Sequence, residues 1–230
     1  MSSRTPPVTA DGNPNIVLVW PDGRNAPVAV PVDGYRVRAA PLGPMGDEAW
    51  LAVHREAIPG FREPKYRTWL ARYRALALPG GILLAHDPAG DPVATAGAIA
   101  HDAGGLFPGG GQVAWVATVP RHRGRGLATW LSALVTARLL DEGYPTVAVV
   151  TGDDLIPAIR IYRSIGFVPY LYALDQPRRW EHICSAAGLE FAPHRWPIHP
   201  GLSVPAARRA PAASIAGSGE DEVDEDGARL

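Results

Sequence analysis

Residues 112–140 read QVAWVATVPRHRGRGLATWLSALVTARLL, and the rest of the chain is best read outward from them. Residues 113–119 are β-branched, aromatic and small apolar types, and Pro120 then withdraws a backbone donor, so a strand is expected to end there. From Gly126 onward, Leu127, Trp130, Leu131, Leu134 and Val135 fall at the i, i+3, i+4, i+7, i+8 spacing of one buried helical face. Between strand and helix lie Arg121-His122-Arg123-Gly124-Arg125-Gly126. Glycines admit a bulky ligand to the backbone, and the first free N–H groups of a helix point out along its positive dipole end. The loop is therefore expected to cradle a phosphate or pyrophosphate.

Several loop designs compete for this pattern. A P-loop needs a lysine after its second glycine, and the single lysine of the chain is Lys65. A dinucleotide fingerprint needs a small third residue where Thr129 stands and an acid ending the next strand, whereas Asp141-Glu142 closes the helix instead. An ordinary strand–turn–helix connection also satisfies the loop taken alone. A further reading uses a second segment. After the helix, Gly143 and Pro145 stop the chain, and residues 146–150, TVAVV, read as a strand buried on both faces, lying parallel to 113–119. Next comes DDLIPAIRIYRSIGF, residues 153–167, a short helix with Asp154 as expected N-cap, Pro157 in the first turn and Gly166 at the end.

The frames Arg121-x-x-Gly124-x-Gly126 and Arg123-x-x-Gly126-x-Ala128 resemble the Arg/Gln-x-x-Gly-x-Gly/Ala loop of the GNAT superfamily of acyl-CoA-dependent N-acyltransferases. Ala158-x-x-x-Tyr162-x-x-x-Gly166-Phe167 resembles that superfamily's second hallmark segment, one strand further on. The resemblance implies an α/β domain with a mixed, splayed β-sheet, helices on both faces and acetyl-CoA held in the splay. It implies that residues Val116, Ala117, Thr118 and Val119 align the pantetheine. Arg121, Arg123, Gly124, Arg125, Gly126, Leu127 and Ala128 would hold the pyrophosphate, and Tyr162 would protonate the leaving thiolate. One departure is Leu155, which stands where family members often carry an asparagine, so the polar contact to the cofactor from that position is in doubt. The implied reaction is acetyl transfer from acetyl-CoA to an amine, with a small molecule or a protein N-terminus as acceptor. A sensor of the same fold that binds acyl-CoA without turnover is the alternative. A general base is not assigned by sequence; His54, Glu56, Glu63, His101 and Asp102 are candidates.

The remaining chain sets the frame. At 230 residues and 47% hydrophobic content it suits one globular domain with additions at its ends: an N-terminal extension at 1–33 with a hairpin at 16–20 and 26–32, the core domain at 34–190, and a Pro-containing segment and disordered acidic tail at 191–230. Helices are expected at 47–58 and from Glu63, antiparallel strands at 81–86 and 93–101, and a glycine-rich connection or lid at 102–111. Trp50, Leu51, His54 and Ile58 share one helical face, and Tyr66, Trp69, Leu70 and Tyr73 another, both suited to core packing. Basic residues are almost all arginine, a coding bias of GC-rich bacterial genomes.

The net charge is −1, with six acids in EDEVDED at 220–226. That balance, without exposed aromatics among the arginines, excludes a dedicated nucleic-acid binder. There is no run of 18 apolar residues and no signal-like N-terminus, so neither membrane nor export is expected and a cytoplasmic location is. One cysteine, Cys184, allows no internal disulfide and speaks against a zinc site, so no metal is expected. His194 and His199 lack an intervening thiol or carboxylate and are read as a packing segment. A serine hydrolase is excluded because no Gly-x-Ser-x-Gly occurs. The oligomeric state stays open, a homodimer included.

Overall fold

The computed structural model describes residues 15–202. The expectations for residues 1–14 and for the acidic tail lie outside the described residues. In chain order the elements are β1 Asn15–Val19, β2 Arg36–Ala39, α1 Pro44–Ala57, α2 Glu63–Leu76, β3 Ala77–His86, β4 Pro92–Ala100, β5 Gly111–Thr118, α3 Leu127–Asp141, β6 Val147–Gly152, α4 Ile156–Ile165, β7 Val168–Tyr170 and α5 Gln176–Ala187. The strands form one seven-stranded mixed sheet in the order β2-β3-β4-β5-β6-β1-β7. Only β5 and β6 run parallel; the other neighbours are antiparallel.

Helices cover both faces of the sheet. Gly97 on β4 presents its Cα to the Tyr73 ring of α2, and its partner across the ladder is Ala114. Gly111, of opposite parity to Ala114 on β5, presents its Cα to Leu139 of α3. Alternate residues on a strand face opposite sides, so α2 and α3 lie on opposite faces. α3 also packs against α4, which explains why Ser132, Ala133 and Thr136 are buried along with its apolar stripe.

β5 and β6 pair only at their beginnings, through Gly111 with Val147, Gln112 with Ala148 and Val113 with Val149. Beyond Val113 the two strands part. On the other side of β5, the register to β4 passes from Gly97–Ala114 to Thr95–Ala117, so β5 carries one extra residue there. Trp115, at φ 53°, takes the left-handed conformation that lets the strand bulge. The splay and the bulge coincide, and a cleft opens between β5 and β6.

Residues 15–33 depart from the sequence expectation. β1 forms no hairpin with 26–32; it lies between β6 and β7 inside the sheet. Ile16, Leu18 and Trp20 enter the main core while Val17 and Val19 enter a second cluster with Tyr170 and Tyr172, so both faces of β1 are buried. Pro27 and Pro31 deprive 26–32 of ladder donors, and that stretch has no regular structure. Arg24 closes the connection by donating to Gly166 O at 3.3 Å across the end of α4. The expected N-cap of α4 also differs: Leu155, not Asp154, occupies that position and no side chain caps the helix.

Towards the C-terminus, residues 192–202 pack on α5. Trp196 meets Trp180 edge-on at 5.8 Å, and Leu171 bridges to Ile198. The glycine-rich stretch at 102–111 is folded as tight turns, with Phe107 edge-on to Tyr170 at 4.9 Å. A chain beginning at Pro21 would leave the facing edges of β6 and β7 without a partner and expose two apolar clusters. Such a truncation is expected to lose its cooperative unfolding transition, followed by circular dichroism on heating; an unchanged melting temperature would show β1 to be dispensable.

Candidate functional site

A cavity of about 730 Å³ fills the splay, bounded by α2, β5, β6 and the start of α4. Its wall is aromatic on the α2 side. Trp115, thrust out by the bulge, lies 5.0 Å from Trp69, 5.7 Å from Trp50, 5.9 Å from Tyr73 and 6.2 Å from Tyr66, ring centre to ring centre. A bulky side chain at positive φ costs on the order of 1–3 kcal/mol, and this cage of rings holds it there. Tyr73 donates its hydroxyl to Ala114 O at 3.1 Å, tying α2 to the residue before the bulge. That hydroxyl sits where any side chain at Gly97 would be, 1.7 Å from the position of a Cβ, so glycine is required on the facing strand.

Tyr162 comes from α4 and lines the cavity opposite α2. Its ring is 6% exposed, and its hydroxyl has no hydrogen-bond partner among the described residues. Burial holds the phenol well above its ordinary pKa, so the proton stays on Oη at neutral pH. The turn after it is fixed: the N–H groups of Gly166 and Phe167 both reach Tyr162 O, at 3.2 and 3.0 Å, with Gly166 at φ 122°. The sequence spacing from Tyr162 to Gly166-Phe167 is thus a helix end that anchors the tyrosine.

The loop at 119–126 follows the end of β5, the strand whose residues 112–116 line the cavity. A single 3₁₀ turn, Pro120–His122, leads into Gly124 at φ 73° and Gly126 at φ 88°, and Gly126 is the N-cap of α3 with no side chain capping the helix. The first N–H groups of a 15-residue helix are left for a ligand. A Cβ at Gly124 would meet nothing within 4 Å, so the loop face is open. The arginines divide. Arg121 is ion-paired with Glu56, and Arg123 donates to Thr118 O at 3.2 Å and Ala57 O at 2.8 Å, so both brace the loop against α1. Arg125 is exposed and makes no bond to the described residues. His122 fastens the loop from the other side, 2.7 Å from Tyr35 Oη and 3.7 Å from Asp87 Oδ2. Val116, Ala117 and Thr118 run beyond the last β5–β6 pair, while Val119 N–H is spent on Val93 O at 2.9 Å. Leu127 is buried beneath the helix start and Ala128 is half-buried. A smaller cavity of about 450 Å³ lies on the loop's flank, between Arg123, Pro120 and the end of α1.

The candidate bases fare differently. Glu56 and Glu63 are engaged with arginines at the surface, and Asp102 accepts from Gly104 N at 3.1 Å. His54 is fully buried, stacked on Trp50 at 3.6 Å, with Nδ1 2.9 Å from Trp50 O and Nε2 unpartnered. Only His101 lines the cavity, and its Nδ1 accepts from Ala103 N at 3.0 Å. The neutral ring therefore carries its proton on Nε2 and meets the cavity as a donor. Among the described residues no group of three or more His, Cys, Asp or Glu is arranged to hold a metal, and no helix is long and apolar enough to cross a membrane. Sequence reasoning missed Trp115, Arg72 and Gln112 as cavity residues. The signal available for the first was the crowd of rings at Trp50, Tyr66, Trp69 and Tyr73 on two helical faces that require a common partner.

The splayed sheet, the bulge and the loop before α3 form the mixed α/β architecture that the resemblance to the GNAT superfamily implies. The profile described as "Acetyltransferase (GNAT) family" matches residues 50–167, and the chain belongs to that family. Mycothiol acetyltransferase from Arthrobacter sp. (strain FB24) is 32% identical over 145 residues, covering 61% of this chain and 45% of that protein. Mycothiol acetyltransferase from Frankia casuarinae is 31% identical over 148 residues, covering 59% and 41%. The chain thus spans less than half the length of these curated relatives. In fold it is similar to a GCN5-related N-acetyltransferase from Sphaerobacter thermophilus, with a TM-score of 0.55 at 20% identity over 67% of this chain and 48% of that one. An acetyltransferase of the GNAT family from Colwellia psychrerythraea gives 0.52 at 12% identity over 67% and 52%.

Burial lowers the His54 pKa from 6.5 to about 4, against the smaller opposing effect of its bond to Trp50 O. The unfolded chain therefore takes up a proton that the folded chain refuses. Stability is full above pH 6.5 and falls as pH drops towards 4, by on the order of 3 kcal/mol in all. Denaturant titrations from pH 7.5 to 4 are expected to show this slope in the wild type and a flatter one in His54→Leu; parallel slopes would remove the buried imidazole from the account.

Proposed function

We propose that this chain transfers an acetyl group from acetyl-CoA to a primary amine on a small molecule. The observation that carries the reading is the coincidence of three features at one cleft: strands parted at a bulge, an uncapped helix N-terminus behind a glycine loop, and a buried protonated tyrosine. Acetyl-CoA fits these residues. The backbone N–H groups at 124–128 and the Arg125 guanidinium would hold its pyrophosphate, with Arg121 and Arg123 shaping the loop. The strand edge at 116–118 would lie along the pantetheine. When bound, acetyl-CoA supplies the acetyl group as a thioester.

The chain's own residues then have separable tasks. The bulge takes Trp115 and Val116 out of the β4 ladder, and a backbone N–H freed there would stabilise charge on the thioester oxygen. Trp69 and Trp115 exclude water and confine the amine. Tyr162 Oη holds the proton that the departing sulfur takes. A phenol is a weaker acid than a thiol, but the burial that raises the tyrosine raises a thiol in the same place, so the transfer is not steeply uphill. Among the described residues no carboxylate lines the cavity, and the one lining imidazole, His101, has its Nδ1 engaged by Ala103 N–H, so the amine's own proton leaves to water. That same lack favours the second reading, a domain that binds acyl-CoA without turnover; sustained thiol release with an amine present decides between them.

Tyr162→Phe keeps the ring and its packing. Turnover is expected to fall by about 10²–10⁴ with acetyl-CoA affinity unchanged by calorimetry, and turnover at the wild-type rate would assign the proton to water. For the loop, the pair Gly126→Ala and Gly126→Glu separates backbone strain from ligand exclusion, because any side chain at φ 88° is strained. Both should lose about 1–2 kcal/mol of stability, while only the glutamate should abolish acetyl-CoA binding. Equal binding by both variants would reduce the loop to a turn.

A further inference from the structure

Among the described residues, the walls of the cavity carry hydrogen-bond donors and a positive charge, and no acid. Trp69, Arg72, Tyr73 and Leu76 of α2 line it, and Arg72 has no ion pair or hydrogen bond among the described residues. Its neighbours are all engaged: Arg67 with Glu48 and Glu63, Arg74 with Asp47, Arg55 with Glu63. About two turns back along α2, Lys65 Nζ lies 4.4 Å from the ring of Trp69, which lines the cavity. Across the cavity His101 offers Nε2–H, fixed in that tautomer by Ala103 N–H. The acids nearest by are turned elsewhere. Asp154 is exposed, with its carboxylate against the Cα of Gly152, and is not among the described lining residues; Asp102 is bound to Gly104 N, and Asp153 to Arg179.

A cavity that takes polycations lines itself with carboxylates, because each ammonium drawn out of water needs a counter-charge. This one holds the opposite charge. Resting on the transferase reading above, we propose that the acceptor is a monoamine carrying a carboxylate or equivalent anionic group, which pairs with Arg72. The aliphatic or ring portion between its two ends lies against Trp69 and Trp115. Arg72 is then a specificity residue: it contacts the far end of the acceptor and takes no part in bond making.

The test uses matched ligands, from β-alanine to 6-aminohexanoate, the corresponding ω-amino amides and the corresponding diamines. Acetyl transfer is followed by thiol release, and binding to the CoA-saturated protein by tryptophan fluorescence. Among acceptors of one length, the carboxylate is expected to exceed the diamine in kcat/KM by about ten-fold or more. Arg72→Ala should erase that advantage through KM, with acetyl-CoA affinity unchanged, and Arg72→Glu should invert it towards the diamine. Wild-type preference for diamines, or a carboxylate-to-diamine ratio untouched by both substitutions, overturns the proposal. If acetyl-CoA binds but no amine is acetylated, the transferase reading fails, and the fluorescence series still decides the charge selection: carboxylates binding no better than diamines would overturn it.

Discussion

The structure depends on one backbone irregularity, the extra residue that places Trp115 at positive φ in the middle of a seven-stranded sheet. A continuous β5–β6 ladder would leave no cleft. The bulge costs conformational energy and forfeits ladder bonds, and it persists because the displaced indole is enclosed by rings from α1 and α2. The Tyr73 hydroxyl reinforces it by bonding Ala114 O, and Gly97 makes room for that hydroxyl. A core-packing arrangement thereby creates the cavity, so the aromatic helical faces both fill the core and wall the cleft.

The loop before α3 shows a similar economy in its arginines. Two of three spend their charge on holding the turn: Arg123 on backbone carbonyls, Arg121 on Glu56. His122 braces the far side through Tyr35. A phosphate cradle needs its N–H groups held still more than it needs mobile cations around it, since preorganised donors lose little entropy on binding. What remains directed outward is Arg125 and the uncapped helix start.

Local sequence signals were sufficient wherever an element's identity depends on neighbours in the chain. Pro120 ended the β5 region, Gly126 began α3, Gly143 ended it, and the 146–150 run became the strand parallel to β5. Both motifs that carry the family resemblance are of this local kind. Where the outcome depended on remote partners the sequence misled: 16–20 reads equally well as one arm of a hairpin, and only the empty lane between β6 and β7 makes it an interior strand. His54 likewise has the same local pattern whether it faces substrate or Trp50.

By itself, then, the sequence determined the strand–loop–helix unit and the tyrosine-bearing helix after it, because turns, caps and periodicity act over a few residues. Tertiary structure alone decided that β1 completes the sheet, that Trp115 bulges into a cage of rings, and that Arg72 and His101 line one cavity with no acid among its described lining residues. Those facts join residues tens of positions apart. The burial that makes one histidine inert and the hydrogen bond that makes another a fixed donor exist only once the helices have closed on the sheet.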